Sequence, residues 1–225
     1  MRSPVDPTAK LITGERMDVE EFLRCWEELP DLKNAELIDG VVHVSSPVSR
    51  QHGSLDSLIH MWLGYYAQAT PGCEGGNNST WLMLDSAPQP DADLRILPAQ
   101  GGQSKDDGIY SAGAPELAVE VCVSSTDVDF GPKLRLYQRA GVQEYITAET
   151  LQKRLIWRVL DENHAYKFQL TTEDGILRSQ VFPGLWLDVA AFWAKDGAKM
   201  LAALNAGIAS EDHQRFVERL GAGKQ

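Results

Sequence analysis

One carboxylate interrupts an otherwise apolar stretch, residues 117–123, near the middle of the chain. As a β-strand, this stretch places apolar side chains on both of its faces, which predicts a central strand covered on both sides. A carboxylate in such a position is unfavourable unless it is paired, hydrogen-bonded or bound to a metal. The interrupting residue, Glu120, is therefore the first candidate for a functional side chain.

The length of 225 residues and the 43% hydrophobic share predict one main domain with small additions. We expect an N-terminal arm and helix at 1–30, the main domain at 31–195 and a C-terminal helical extension at 196–225. No apolar run reaches the roughly 18 residues that a membrane span requires, and the first residues lack the apolar core of a signal peptide. Three scattered cysteines favour reduced thiols and predict a cytoplasmic protein: Cys25, Cys73 and Cys122.

The net charge of −11 argues against a protein surface that attracts nucleic acid as a whole. Any activity on nucleic acid must therefore depend on a local basic patch or on a bound metal ion.

Hydrophobic periodicity, caps and turn signals predict mixed helices and strands. We expect a loose arm over 1–17, a hairpin over 35–47 that turns at Asp39-Gly40, and a mobile polar loop over 99–108. Helices are predicted at about 18–29, 49–69, 132–140, 189–195 and 210–220, the last packing on the outside. Strands are predicted at about 80–84, 94–97, 117–123 and 142–148, with a meander at 154–161 and 165–172. The order is not a regular βαβ alternation, so the predicted class is α/β of the mixed α+β kind, with a mixed central sheet flanked by helices.

Four charged residues stand out at the ends or centres of these elements: Glu36, Asp91, Glu120 and Lys133. A hard cation such as Mg²⁺, or Mn²⁺ as an alternative, binds one or two carboxylates together with further oxygen ligands. Asp91, Glu120 and the backbone carbonyl of Val121 are the predicted ligands. Lys133 is predicted to help deprotonate or orient the attacking water, or to stabilise the charged transition state, and Glu36 to complete the metal shell or hold a water.

Each of these residues also has a simpler interpretation. An Asp after Pro often caps its own turn, as Asp91 would. A lysine in a first helical turn, such as Lys133, is commonly exposed, and Glu36 could be the outward residue of a half-exposed strand. Glu120 could be paired with a nearby Arg or Lys.

The segments ELIDG, QPDADLRI and PELAVEVCVSS, followed by a Lys, a Tyr and GVQEY, together resemble the bacterial Uma-type restriction endonucleases of the PD-(D/E)xK nuclease superfamily. The resemblance runs from about residue 36 to 187, and the ordered set is more specific than any one motif. It implies a restriction-endonuclease-like core with the acids gathered at one end of a mixed sheet.

Carried over by residue, Pro90-Asp91 matches the "PD" and Glu120 matches the acid of the "ExK". The usual lysine position, two residues after that acid, is Cys122 in this chain. The resemblance implies that the lysine is displaced to the next helix, as Lys133, and that Glu36 is the early acid of the family. Asp93 lies outside the pattern and is either a second metal ligand or an exposed acid.

Two histidines, His52 and His60, lie on one predicted helix at a separation of eight residues. That spacing corresponds to about 12 Å of helical rise, so one metal ion cannot directly bridge them. We expect partly buried, hydrogen-bonded side chains, with His52 near the helix start as a candidate substrate contact.

The leading hypothesis is a metal-dependent endonuclease that hydrolyses DNA phosphodiester bonds through the acid–acid–lysine site, as a possible homodimer without a membrane partner. Two alternatives stay open. One is a catalytically inactive interaction module on the nuclease fold, favoured by the acidic charge and by Cys122. The other is a metallohydrolase for a small phosphorylated substrate.

Overall fold

A six-stranded mixed sheet packs between helices in the computed structural model, which describes residues 10–32, 34–45, 48–123 and 126–222. The helices are α1 Val19–Glu27, α2 Arg50–Ala69, α3 Thr126–Asp129, α4 Pro132–Ala140, α5 Val189–Ala194, α6 Gly197–Ile208 and α7 Glu211–Ala222, with a 3-10 turn at Pro98–Gln100. The strands are β1 Ala35–Ile38, β2 Val41–Val44, β3 Cys73–Asn77, β4 Trp81–Leu82, β5 Ala92–Ile96, β6 Lys105–Asp107, β7 Tyr110–Ala112, β8 Leu117–Cys122, β9 Glu144–Glu149, β10 Arg154–Leu160, β11 Tyr166–Phe168, β12 Ile176–Arg178 and β13 Trp186–Asp188.

The main sheet has the strand order β11-β10-β9-β8-β5-β3. The β8–β9 pair is parallel, and the other neighbours are antiparallel. Every residue of β8 is buried, as expected for a strand with neighbours on both sides and helices on both faces. The predicted mixed sheet flanked by helices is confirmed.

The two faces of β8 contribute to two different apolar clusters, as the alternation of side chains along a strand requires. Leu117, Val119 and Val121 pack in the larger cluster, with α2 and the C-terminal helices. Ala118 packs in the second cluster, with residues of α4. Glu120 follows the same alternation and therefore lies on the α4 face.

The predicted hairpin at Asp39-Gly40 is confirmed as β1 and β2. Both turn residues have positive φ, 51° at Asp39 and 71° at Gly40, as a two-residue turn with the twist of its strands requires. In this hairpin Glu36 lies opposite His43. The hairpin thereby presents Glu36 at a fixed position beside the main sheet.

Helix α2 is the longest helix and begins as the sequence predicts. The hydroxyl of Ser49 accepts the backbone N–H of His52 at 3.1 Å, which satisfies one of the free N–H groups of the first turn. The helix buries one face against the sheet, including Leu55, Ile59 and Trp62.

Two predictions about irregular segments are wrong. Within the expected mobile loop at 99–108, a 3-10 turn forms at Pro98–Gln100 and β6 pairs with β7. Of the expected loose arm at 1–17, residues 1–9 lie outside the described part of the chain. Further on, Gly14 and Met17 donate backbone hydrogen bonds to the hairpin.

Strand β3 was missed because its sequence, CEGGN, lacks strand-forming residues. The structure explains why one residue of this strand, Gly76, is a glycine. A Cβ atom at Gly76 would lie 2.6 Å from a carboxylate oxygen of Asp93 on the neighbouring strand. Glycine is thus needed here for close approach to a side chain, which local sequence does not reveal.

The C-terminal helices cover the larger cluster. Met200 and Leu204 of α6 and Phe216 and Leu220 of α7 are buried in it, so α7 lies on the outside of the domain while one of its faces is part of the core. Among the described residues, no helix has both the length and the apolar character needed to cross a membrane.

Candidate active site

Two carboxylates meet at one end of the central sheet. Strands β5 and β8 are antiparallel with Ala92 opposite Val119. The next pair along this register is Asp91 and Glu120, at the point where the ladder ends. The backbone N–H of Val121 donates to Oδ2 of Asp91 at 2.7 Å, which fixes the carboxylate against β8.

Lys133 reaches this end of the sheet from helix α4. Its ammonium nitrogen lies 2.8 Å from Oε1 of Glu120 and 2.8 Å from Oε1 of Glu36. Asp129 lies farther away, with 3.9 Å between Oδ1 and the same nitrogen. The side chain of Lys133 is 4% exposed. A buried ammonium keeps its positive charge when carboxylates surround it, as they do here.

Local sequence explains the placement of Lys133. Pro132 occupies the first turn of α4, and Gly141 ends the helix with a φ of 88°. Lys133 and Tyr137 are separated by one helical turn and share a face. The hydroxyl of Tyr137 donates to Oε1 of Glu120 at 3.0 Å, so two groups from one helix bind the same carboxylate oxygen.

Glu36 enters the cluster from the hairpin. Besides the ammonium of Lys133, its Oε1 accepts the backbone N–H of Gln89 at 2.6 Å. Gln89 lies two residues before Asp91 in the chain. Glu36 therefore connects the hairpin, the segment before β5 and helix α4 at a single carboxylate.

The cluster carries excess negative charge. Burial raises the pKa of Glu36 and raises that of Glu120 well above its ordinary value, against the attraction of Lys133. Burial acts to lower the pKa of Lys133, but the charges of Glu120, Glu36 and Asp129 outweigh it and raise that pKa. Because three carboxylates surround one ammonium, an added cation would stabilise the cluster.

On the other side of Asp91 lie two residues of α2, His52 and Asp56. Nε2 of His52 is 3.5 Å from Oδ1 of Asp91. Hydrogen bonding to Asp91 raises the pKa of His52, with partial burial opposing it and a hydrogen bond to the backbone of Val121 adding to it. His52, the candidate substrate contact, therefore faces two of the predicted metal ligands.

His60 has a different environment from His52. Its Nε2 lies 2.8 Å from the backbone carbonyl oxygen of Asp91 and 3.3 Å from Oδ1 of Asp56. A carbonyl oxygen only accepts hydrogen bonds, so Nε2 of His60 carries a proton. The expectation of partly buried, hydrogen-bonded histidines is confirmed.

Two further residues of the sequence pattern are buried near the cluster. Cys122 is fully buried on β8, and its thiol lies against the carbonyl of Glu120 and the side chain of Asp129. Asp93 is 2% exposed, and its carboxylate lies against Gly76 of β3. The interpretation of Asp93 as an exposed acid is therefore wrong.

Sequence reasoning gave no role to Tyr137, Asp129 or Asp56. Tyr137 follows Lys133 by four residues on the same helix, which places both on one face. Asp129 precedes Lys133 by four residues but ends the separate helix α3, so the spacing alone gives no signal for it. The same spacing relates Asp56 to His52 and to His60. Intervals of four residues are common in helices. They indicate a site only when it is known how the helix packs on the rest of the protein.

The charged residues of the cluster, together with His52 and Asp56, line one cleft with a volume of about 550 Å³. Five carboxylates contribute to its wall, from Glu36, Asp56, Asp91, Glu120 and Asp129. Among the described residues that line it, Lys133 is the only Lys or Arg. Carboxylate oxygens are the ligands that hard divalent cations prefer, so the residues present fit a divalent cation.

The model of the Uma2 family, described as "putative restriction endonuclease", matches residues 19–190. No curated protein matches the sequence. The crystal structure of a "putative nuclease belonging to DUF820" from Anabaena variabilis ATCC 29413 is similar, with a TM-score of 0.60 and 14% sequence identity. The match covers 79% of this chain and 98% of that chain, and at this identity it shows a common fold.

Proposed function

Because the chain belongs to the Uma2 family, we propose that it is a metal-dependent endonuclease that hydrolyses phosphodiester bonds of DNA. The reacting groups are those of the cleft: Glu36, Asp91, Glu120 and Lys133. The observation that carries the proposal is the buried ammonium of Lys133, 2.8 Å from both Glu36 and Glu120 at the sheet end where Asp91 lies.

Asp91, Glu120 and the carbonyl of Val121 would hold the cation, Mg²⁺ or Mn²⁺. When bound, such a cation supplies Lewis acidity toward a phosphoryl oxygen. In the described structure Oε1 of Glu120 is already taken by Lys133 and Tyr137. The second oxygen of Glu120 is then the one available for a cation, with its direction fixed by those two donors.

Lys133 has two functions in this proposal. Its ammonium stabilises negative charge that develops on the phosphate, in a water-poor site where such an interaction is strong. It also holds Glu120 and Glu36 in place, since both carboxylates bind the same nitrogen. Glu36 in turn positions Lys133 from the hairpin side and accepts the N–H of Gln89, and so keeps the ammonium directed at the cleft.

The decisive experiment is a plasmid-nicking assay with Mg²⁺ or Mn²⁺ on purified wild type, Glu120→Gln and Asp91→Asn. Both substitutions keep the side-chain shape and remove a charge from the cleft. We expect loss of at least about 100-fold in rate for each. Glu149→Gln is the matched control, because Glu149 lies on the next strand and pairs with Arg154. Metal-dependent cleavage that persists in both cleft variants would refute the assignment.

A homodimer belongs to this proposal, since cutting both strands of a duplex usually needs two active sites. The surfaces we consider are the meander and α7. On the meander, Phe168 is 70% exposed and β11 forms an edge of the main sheet. Light scattering of the purified protein gives the mass, and a monomer that only nicks one strand would remove this part of the proposal.

A small phosphorylated substrate is the second candidate. A cleft of about 550 Å³ suits a small ligand, and its five carboxylates repel a long polyanion. The dependence of substrate binding on salt concentration distinguishes the two functions. DNA binding weakens steeply as the salt concentration rises, whereas binding of a small substrate weakens much less. A flat salt dependence of the Michaelis constant would favour the small substrate.

A further inference from the structure

The side of Asp91 that faces helix α2 carries a second group of donor atoms. One ligand atom each from His52, Asp56 and Asp91 lies within 4.8 Å of the others. A point can therefore be found within about 2.8 Å of all three atoms, and zinc-type metal–ligand distances are about 2.0–2.2 Å. Side-chain movements of less than about 1 Å would bring the three atoms into direct contact with one cation.

The backbone presents these atoms rigidly. His52 and Asp56 are one helical turn apart on α2 and share a face. Asp91 is fixed from the opposite direction, because its Oδ2 accepts the N–H of Val121 and leaves Oδ1 on the α2 side. The three ligands therefore come from two elements whose relative position is set by the packing of α2 on the sheet.

Asp56 supplies an acceptor that no described group uses. Its Oδ1 is buried and has no hydrogen bond within the described chain. Nε2 of His60 lies 3.3 Å away, but its single proton is directed to the carbonyl oxygen of Asp91 at 2.8 Å. His60 thus holds the backbone of Asp91 by a hydrogen bond and lies beside Asp56, as groups around a metal site commonly do.

We propose that His52, Asp56 and Asp91 bind a divalent transition-metal ion, such as Mn²⁺, on the α2 side of Asp91. An imidazole nitrogen distinguishes this site from the all-oxygen set at Glu120. The two carboxylates suit Mn²⁺ as they suit Mg²⁺ and Ca²⁺, and the imidazole adds a type of ligand that transition metals accept more readily than Mg²⁺ and Ca²⁺ do. The site shares Asp91 with the proposed nuclease site, but it requires neither DNA hydrolysis nor Glu120.

Mn²⁺ itself is the probe, because electron spin echo spectra of bound Mn²⁺ report coupling to a ligand nitrogen. We expect imidazole-type nitrogen coupling in the full-length wild type and its loss in His52→Gln. His43→Gln is the matched control, since His43 also lines the cleft from the hairpin side. In calorimetry, Asp56→Asn should weaken Mn²⁺ binding at this site at least about tenfold, and Asp127→Asn, at an exposed position of α3, should not.

Glu120→Gln separates the two proposals. Nitrogen coupling that persists in this variant, while cleavage is lost, supports both. Saturable Mn²⁺ binding without nitrogen coupling in the wild type overturns the α2-side site and leaves the nuclease proposal standing. Coupling that survives in His52→Gln, or no saturable Mn²⁺ binding at millimolar concentration, also overturns it. Coupling that depends on His52, with cleavage independent of Glu120, would support the α2-side site and refute the nuclease assignment. Thermal unfolding of each variant identifies any that fail to fold, and His52→Asn then replaces His52→Gln.

Discussion

The ammonium nitrogen of Lys133 lies 2.8 Å from Oε1 of Glu120, although the two residues belong to helix α4 and strand β8. The contact joins the central strand to the second helix after it in the chain. Glu36 binds the same nitrogen from the hairpin, so one ammonium holds together three separate elements at the cleft. Replacing any member of this group should therefore affect both stability and chemistry.

Lys133→Met should destabilise the protein by about 3–5 kcal/mol at pH 8, because it leaves Glu36 and Glu120 buried without their counter-charge. The loss should be smaller at pH 5, since protonation then neutralises the two carboxylates, whose pKa values burial already raises. Urea unfolding at the two pH values measures both effects. Arg154→Met is the control: its side chain is 53% exposed beside Glu149, and about 0–1 kcal/mol is expected. Equal losses for the two variants would contradict the interpretation.

Tyr137→Phe should reduce cleavage about tenfold with a loss of only about 1 kcal/mol in stability, because it removes one hydrogen bond to Glu120 and keeps the ring. Tyr137 acts here as a positioning residue, so the affinity for the metal cofactor should fall together with the turnover rate. Tyr166→Phe is the comparison, since that hydroxyl donates to the carbonyl of Val142 outside the cleft. Unchanged metal affinity in Tyr137→Phe would argue against a positioning role.

DNA binding at the cleft should depend on a divalent cation. Five carboxylates and one lysine line the cleft, and the whole chain carries a net charge of −11, so a phosphate backbone is repelled until cations are bound. Fluorescence anisotropy with Ca²⁺, which commonly supports binding without cleavage, should show at least about tenfold tighter binding than with a chelator present. Equal affinity in the two conditions would place the DNA contact elsewhere.

Stability should fall between pH 5 and 8 because of Glu144. Burial raises its pKa from 4.5 to about 7, although Ser179 and Gln180 donate hydrogen bonds to it. Below pH 4.5 both the folded and the unfolded states hold the proton. As the pH rises toward 7, the unfolded state releases it first, and folding loses up to about 3 kcal/mol.

Glu144→Gln should therefore flatten the dependence of the unfolding free energy on pH over this range. Part of the slope should remain, since burial also raises the pKa of Asp93 to about 6. Glu211→Gln, at a position with an exposed carboxylate, should leave the full slope. A wild-type free energy that rises from pH 5 to pH 8 would contradict the assigned direction.

The central part of the candidate site could be predicted from the sequence, because a charged residue lies there within a stretch whose apolar composition predicts burial. A carboxylate inside an apolar stretch marked Glu120, and Pro132 and Gly141 marked the ends of the helix that carries Lys133. Both signals are local: one comes from strand alternation, and the other from the conformational restrictions of proline and glycine. The roles of these residues in catalysis stay predictions.

Other features had no local signal. Strand β3 has a glycine-rich sequence that is unlike a strand and is explained by the carboxylate of Asp93 across the sheet. The segment at 99–108 also had no local signal for a strand. Its polar, glycine-rich composition predicts a mobile loop, but β6 within it pairs with β7. Contacts with distant residues override local propensity in both places.

The sequence by itself determined the strands and helices with strong periodicity, the turn at Asp39-Gly40 and the candidate acids, because each depends on neighbours within a few residues. The tertiary structure alone decided that Lys133 reaches Glu120 and Glu36, that Tyr137 binds the same carboxylate, and that His52 and Asp56 face Asp91. These relationships depend on how helices α2 and α4 pack on opposite faces of one sheet. Packing is a property of the whole apolar core, so it cannot be predicted from any single stretch of the chain.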